Sequence, residues 1–252
     1  MKKTLLFLLI VDLLFFPTIG FCGCDFDGVD DVVTCPDLGM DSGNMTFMAI
    51  IKKDTTIDAP AITNGTTANW NAELRIRNTG VAEFRVVTAT PLAEKSVEGT
   101  TSLTIGVWYT IIGVKNGTTI YIYVDGVQEG SNATLGSDGL RAAGATQIGN
   151  MSGSTEWFNG ILNEIAIWST NLTDAQILLL SNSKIKGMAK QIQPANLKGY
   201  WAIDDQEAGT SADGDTIRDL SGNGNNGTGN NGAGNSGLLW SGEQVLSYPS
   251  GI

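Results

Sequence analysis

Between Asp25 and Asp31 the sequence DFDGVDD sets four carboxylates around one glycine. Crowded carboxylate and carbonyl oxygens are the ligands that hard cations take, so Asp27, Asp30 and Asp31 are candidate calcium ligands. The same aspartates also cap turns through backbone hydrogen bonds, which needs no ion. Catalytic options are narrow. The chain has no histidine, which excludes Ser-His-Asp and Cys-His catalysis and any His-ligated zinc site. Glycoside hydrolysis needs two carboxylates flanking one bond, a spacing that alternate positions on a strand supply. In NEIAIW, Glu164 stands alone, with Ala166 and Trp168 at the alternate positions. The aspartates at 25–31 span a turn and include no glutamate. No hydrolase pair is visible, and the expectation is a protein that binds without catalysis.

Aromatic side chains suggest what it binds. Trp70 in TANWNAE and Trp157 in GSTEWFNG stand in polar, loop-like contexts, as does Trp240. Flat rings in such places stack on sugars, and Asn69, Asn71 and Glu156 beside them offer hydrogen bonds to hydroxyls. The alternative for each is that it covers a sheet edge. Trp108, Trp168 and Trp201 lie within apolar runs and read as core.

These residues must be positioned by strands. The 252 residues carry 42% hydrophobic side chains, 32 glycines and only 16% charged residues, a turn-rich and strand-rich balance. In GTTIYIYVDGVQEG, Ile120, Ile122 and Val124 alternate with Tyr121 and Tyr123, and Asp125-Gly126 makes a tight turn. Further strands are expected at 46–53, 72–77, 81–88, 102–114, 145–150 and 159–168. One helix is expected over 172–182, where Thr173 and Gln176 have capping-box spacing. The net charge of -11 offers no footprint for nucleic acid and is repelled by an anionic membrane surface.

MKKTLLFLLIVDLLFFPTIGFC (1–22) has the two lysines, short apolar run and small residues of an export signal. Cleavage after Gly20 or after Cys22 fits, and lipidation of Cys24 is an alternative. Export implies an oxidising compartment, so a Cys24–Cys35 disulfide is expected, closed by two short strands around Gly28. The alternative is reduced cysteines packed as small apolar groups. Seven Asn-x-Ser/Thr sequons occur, at Asn44, Asn64, Asn116, Asn132, Asn150, Asn171 and Asn226. They matter only in a host that glycosylates exported chains.

Three stretches in order carry a resemblance. FDGVDDVV (26–33), GVWYTIIGVKNGTTIYIYVDGVQ (106–128) and NGILNEIAIWSTNLTDAQI (159–177) resemble the motifs of the laminin-G-like jelly-roll family, within the concanavalin A-like lectin/glucanase superfamily. The resemblance implies an all-β fold, an antiparallel two-sheet β-sandwich of jelly-roll type, over residues 25–182. It implies a secreted or surface-displayed module that binds glycans or surface proteins in adhesion. The competing reading is a structural accessory of a surface or virion assembly without affinity for free sugar. Many relatives carry calcium, which makes calcium the implied cofactor. Asn163 and Glu164 then join the ligand set, with Asn163 where the family usually has Asp. LKGYWAIDD…DLSGNGNNGT also resembles the family, but there it precedes the FDG motif. The segment 183–252 is therefore expected to dock back onto the sandwich. The oligomeric state is left open.

Overall fold

An extended chain sends alternate side chains to opposite faces. The computed structural model describes residues 23–41, 43–136, 139–151, 155–183, 187–204, 209–230 and 238–241. The export signal expected over 1–22 lies outside these residues. In chain order the strands are β1 (Gly23–Asp27), β2 (Val32–Cys35), β3 (Met45–Lys53), β4 (Ala59–Thr66), β5 (Asn69–Ile76), β6 (Ala82–Ala89), β7 (Leu92–Glu98) and β8 (Trp108–Asn116). They continue with β9 (Thr119–Val124), β10 (Val127–Asn132), β11 (Thr146–Ile148) and β12 (Asn159–Trp168), then helix α1 (Asp174–Asn182). After α1 come β13 (Leu197–Trp201), β14 (Thr216–Ile217), β15 (Gly227–Asn230) and β16 (Leu239–Ser241).

The strands form two antiparallel sheets packed as a sandwich. One runs β10-β9-β8-β3-β12-β1-β16, with β13 also paired to β12; the other runs β14-β15-β2-β11-β4-β5-β6-β7. Ile120, Ile122 and Val124 enter the core between the sheets, together with Phe47, Leu74, Phe84 and Ile165. Tyr123 faces outward and packs with Ile177 and Leu180 of α1. The helix starts as its sequence requires. Thr173 Oγ1 accepts from Gln176 N, and Gln176 Oε1 accepts from Thr173 N.

β1 and β2 do not form the hairpin expected around Gly28. β1 pairs with β12 and β16 in one sheet, whereas β2 pairs with β11 and β15 in the other. Cys24 and Cys35 are therefore free thiols in the core, and the expected disulfide is corrected. Burial pushes both thiols up, so they remain protonated and act as small apolar side chains.

Among the described residues, the chain beyond α1 supplies four strands. β13 lies against β12, β15 against β2, and β16 against β1. The glycine-rich run packs tightly here. A Cβ on Gly227 would lie 2.6 Å from Val33 Cγ1, and one on Gly229 would lie 2.2 Å from the Ala212 carbonyl oxygen. Asp219 organises the loop before it. Its Oδ1 accepts from Tyr200 N at 3.0 Å and Ser221 N at 2.9 Å, and its Oδ2 from Asn225 N at 2.9 Å. Trp201 Nε1 donates to the Asn225 carbonyl at 3.0 Å.

Trp201 is fully buried in the inter-sheet core. Trp201→Ala should cost about 3–5 kcal/mol, read as a fall in Tm of several degrees or more in a thermal melt. An unchanged melt would show that this segment contributes nothing to the sandwich.

Candidate functional site

The acidic turn closes on itself. Asp31 Oδ2 accepts from Asp27 N at 2.7 Å, and Asp27 Oδ1 accepts from Val29 N at 2.8 Å. Gly28 makes the turn possible with φ +81°, and a Cβ there would meet Asn159 Nδ2 at 2.6 Å. Asn159 Nδ2 in turn donates to the Asp27 carbonyl at 2.6 Å. Asp27, Asp30 and Asp31 each bring an oxygen to within 4.8 Å of the others. Asp30 Oδ1 and Asp31 Oδ1 are buried and accept no hydrogen bond. Burial, with Asp27 and Asp30 adding their charge, pushes the Asp31 carboxyl up to about 7.

The other two expected ligands lie elsewhere. Asp27 faces Asn159 and Cys24 faces Leu162 across β1 and β12. Asn163 and Glu164 are thus about 13 Å or more along the strand from Asn159 at about 3.3 Å per residue. They fall in a bulge between Leu162 and Ile165, both buried. Glu164 Oε1 accepts from Gly187 N at 3.1 Å. The structure brings three of the five residues together and not all five.

The expected sugar-contacting groups separate in the same way. Asn71 is completely buried: its Oδ1 accepts from Asn64 Nδ2 at 2.8 Å and its Nδ2 donates to the Met40 carbonyl at 2.9 Å. With no exposed surface it cannot reach a ligand, and its assignment is corrected. Its partner Asn64 is held inside the fold, and so is Asn150, whose Nδ2 donates to the Glu156 carbonyl at 3.0 Å. Trp240 is a buried strand residue whose Nε1 donates to Asp215 Oδ2 at 3.2 Å, not a loop platform. Trp157 is half-buried beside the coil that carries Glu156.

Trp70 is 8% exposed, so its ring is a floor rather than a projecting platform. It packs with Val87 and Met151 on the outer face of the second sheet. The Arg85 guanidinium lies 4.9 Å from its ring centroid, within cation–π range. Trp70, Arg85 and Met151 line a hollow of 430 Å³ with Thr67, Glu94, Thr155 and Glu156. Trp70 and Glu156, far apart in sequence, meet there.

Reading the residues singly missed the charges on this face. Glu73 and Arg75 on β5 stand opposite Arg85 and Glu83 on β6. Arg85 Nε donates to Glu73 Oε2 at 2.6 Å, Arg85 Nη1 reaches Glu94 Oε1 at 3.1 Å, and Arg75 Nη1 lies 2.9 Å from Glu156 Oε2. Glu73 is completely buried, which raises its pKa against the pull of Arg85 and Arg75. The signal was present in AELRIR and VAEFRVV, each of which alternates Glu and Arg. In an antiparallel register such a pair of strands becomes a ladder of opposite charges.

Residues 27–178 match the family model of the concanavalin A-like lectin/glucanases superfamily, and the chain belongs to that superfamily. Among solved structures it is similar to a Bacteroides ovatus ATCC 8483 protein proposed to bind carbohydrate, with 21% identity and a TM-score of 0.62 over 84% of this chain. The match spans 58% of that protein. It is also similar to the heptameric SAP-like pentraxin of Limulus polyphemus, with 18% identity and a TM-score of 0.51 over 65% of this chain and 83% of the other. A third similarity is to domains LG4-5 of the mouse laminin α1 chain, with 14% identity and a TM-score of 0.47 over 60% of this chain and 41% of the other. A search of curated proteins finds no match.

Asp31 sets a pH dependence. In the unfolded chain an aspartate ionises near pH 4, whereas in the fold Asp31 holds its proton up to about 7. Between these values the folded state binds more protons, so stability falls as pH rises through this window. Denaturant titrations in chelator should show that decline, and Asp31→Asn should flatten it. An identical pH profile in the variant would mean that Asp31 ionises normally.

Proposed function

We propose that this superfamily member is an exported carbohydrate-binding or adhesion module without catalysis, and that the hollow at Trp70 receives the glycan. Its chemistry carries the reading. Trp70 and Met151 supply an apolar floor for sugar C–H groups. Glu94 and Glu156 accept from vicinal hydroxyls, while Arg85, Thr67 and Thr155 donate. The volume of 430 Å³ suits a ligand of one or two sugar rings. The similarity in fold to the Bacteroides ovatus protein supports the same class of ligand. Binding is favoured over hydrolysis because the buried carboxylates of this face are engaged by arginines. Glu73 accepts from Arg85, and Glu83 Oε2 lies 3.6 Å from Arg77 Nε. A glycosidase needs one carboxylate free to attack or to activate water.

We place calcium at Asp27, Asp30 and Asp31. The two buried oxygens without donors, Asp30 Oδ1 and Asp31 Oδ1, fit a cation, which would compensate the cost of burying that charge. Asn163 and Glu164 are not part of this set. The ion supplies positive charge that binds the turn together.

Two experiments test these readings. On a glycan array in calcium and again in chelator, the protein should retain a defined set of glycans, with affinity lowered about tenfold or more in Arg85→Met and Glu94→Gln, a loss of about 1.4 kcal/mol. Absence of binding in both conditions would overturn the glycan reading. Separately, millimolar calcium should raise the wild-type Tm and leave that of Asp31→Asn unchanged. A wild-type melt indifferent to calcium would remove the ion from the turn.

A further inference from the structure

β3 sends Met45, Phe47, Ala49 and Ile51 into the core between the sheets, and the next inward position is Lys53. A cation therefore stands where the alternation calls for a core residue, at the open end of the sandwich. Lys53 is 3% exposed. Its neighbours on β3 and β8 have partners: Lys52 Nζ lies 3.8 Å from Asp54 Oδ1, and Lys115 Nζ donates to the Gly43 carbonyl at 2.9 Å. Among the described residues no carboxylate pairs with the Lys53 ammonium. Burial lowers its pKa, with no neighbouring charge acting against that shift. The stem of Lys53 is thus buried, while its ammonium opens on the mouth of the sandwich.

The ammonium faces a hollow of 390 Å³ at the mouth between the two sheets. Thr56, Asn78, Thr79, Ser102 and Thr104 line it, all with hydroxyl or amide donors, and no lining residue is acidic. Gly80 leaves the centre open. A Cβ placed there would lie 3.3 Å from Ser102 Oγ and 3.4 Å from Lys53 Nζ, so both groups converge on one point. Gly80 has φ +87°, which favours glycine at this position. The backbone around it is tied down: Leu103 N donates to the Gly80 carbonyl at 2.8 Å, and Gly106 N to the Lys53 carbonyl at 2.9 Å.

We infer that this mouth is an oxyanion site, in which Lys53 Nζ neutralises a carboxylate or sulfate group and the Ser102 hydroxyl donates to it. The site is separate from the hollow at Trp70, and neither reading depends on the other. A hydrogen bond between an ammonium and an anion is roughly twice as strong as one between neutral groups. Two sources share this chemistry: a free inorganic anion and an acidic sugar.

The test follows Lys53 directly. In the intact protein at low ionic strength, the Lys53 side-chain NMR signal is titrated with sulfate, with glucuronate and with glucose. Chloride at matched ionic strength is the reference. A saturable shift with sulfate or glucuronate, a raised Lys53 pKa in the bound form, and no response to glucose or chloride are expected. Lys53→Met, which keeps the apolar stem, should lose the saturable response in a thermal-shift titration, and Ser102→Ala should weaken it about threefold to tenfold. A response to sulfate alone identifies a free inorganic anion. A response to glucuronate identifies the carboxylate of an acidic sugar. No saturable shift with either anion, a shift reproduced by chloride, or an undiminished response in Lys53→Met would overturn the inference.

Discussion

β12 has two edges and three neighbours, and the architecture depends on how its backbone groups are shared. β3 runs along one edge. The other edge is divided end to end: β1 takes Asn159–Leu162, and β13 takes Ile165–Trp168. A buried strand cannot leave its N–H and C=O groups unpaired. The first described strand and the first strand after α1 must therefore both arrive before the sheet is complete. The junction between them falls at Asn163 and Glu164, where the ladder to β3 also bulges. Asn163 is buried there with neither amide atom hydrogen-bonded, so the irregularity has an energetic cost.

The same strand fixes the rim at which the charges gather. Its first two residues stand between opposite signs: Asn159 faces Asp27 of β1, and Gly160 faces Lys53 of β3. The two flanking strands are about 10 Å apart at the usual inter-strand spacing. An acidic turn and a cation thus occupy one end of the sandwich without neutralising each other. On the outer face of the second sheet charge is treated differently. There Glu73, Arg75 and Glu83, all buried, and the half-buried Arg85 alternate in cross-strand register and compensate one another. That compensation fixes the Arg85 guanidinium and the carboxylates beside the apolar floor that Trp70 and Met151 make.

Wherever local chemistry sufficed, the sequence was legible. The alternation of Ile120, Ile122 and Val124, the turn at Asp125-Gly126 and the capping box at Thr173 each depend on residues a few positions apart. The crowding of Asp27, Asp30 and Asp31 is equally local, and the structure keeps these side chains together. Asn71 shows the limit. Beside Trp70 it looked like a hydroxyl partner, but its amide is engaged by Asn64 and by the Met40 carbonyl, 31 residues away. Lys53 shows the converse, because in FMAIIKK it resembles an ordinary charged strand end, and only the opposing loops make it buried.

By itself, then, the sequence determined the all-β class, the alternation that makes two-faced sheets, the position of the helix and the superfamily motifs, because each is written in short-range periodicity and spacing. It also determined the absence of histidine chemistry, which no fold can restore. Tertiary structure alone decided that β1 and β2 part company, leaving Cys24 and Cys35 as separate thiols. It decided that Asn163 and Glu164 stand apart from the acidic turn, and that Trp70 meets Arg85 and Glu156. The physical reason is register. A strand's neighbours are chosen by which distant segment satisfies its hydrogen-bonding edge, and sliding or exchanging that partner changes every side-chain encounter without altering a single local pattern.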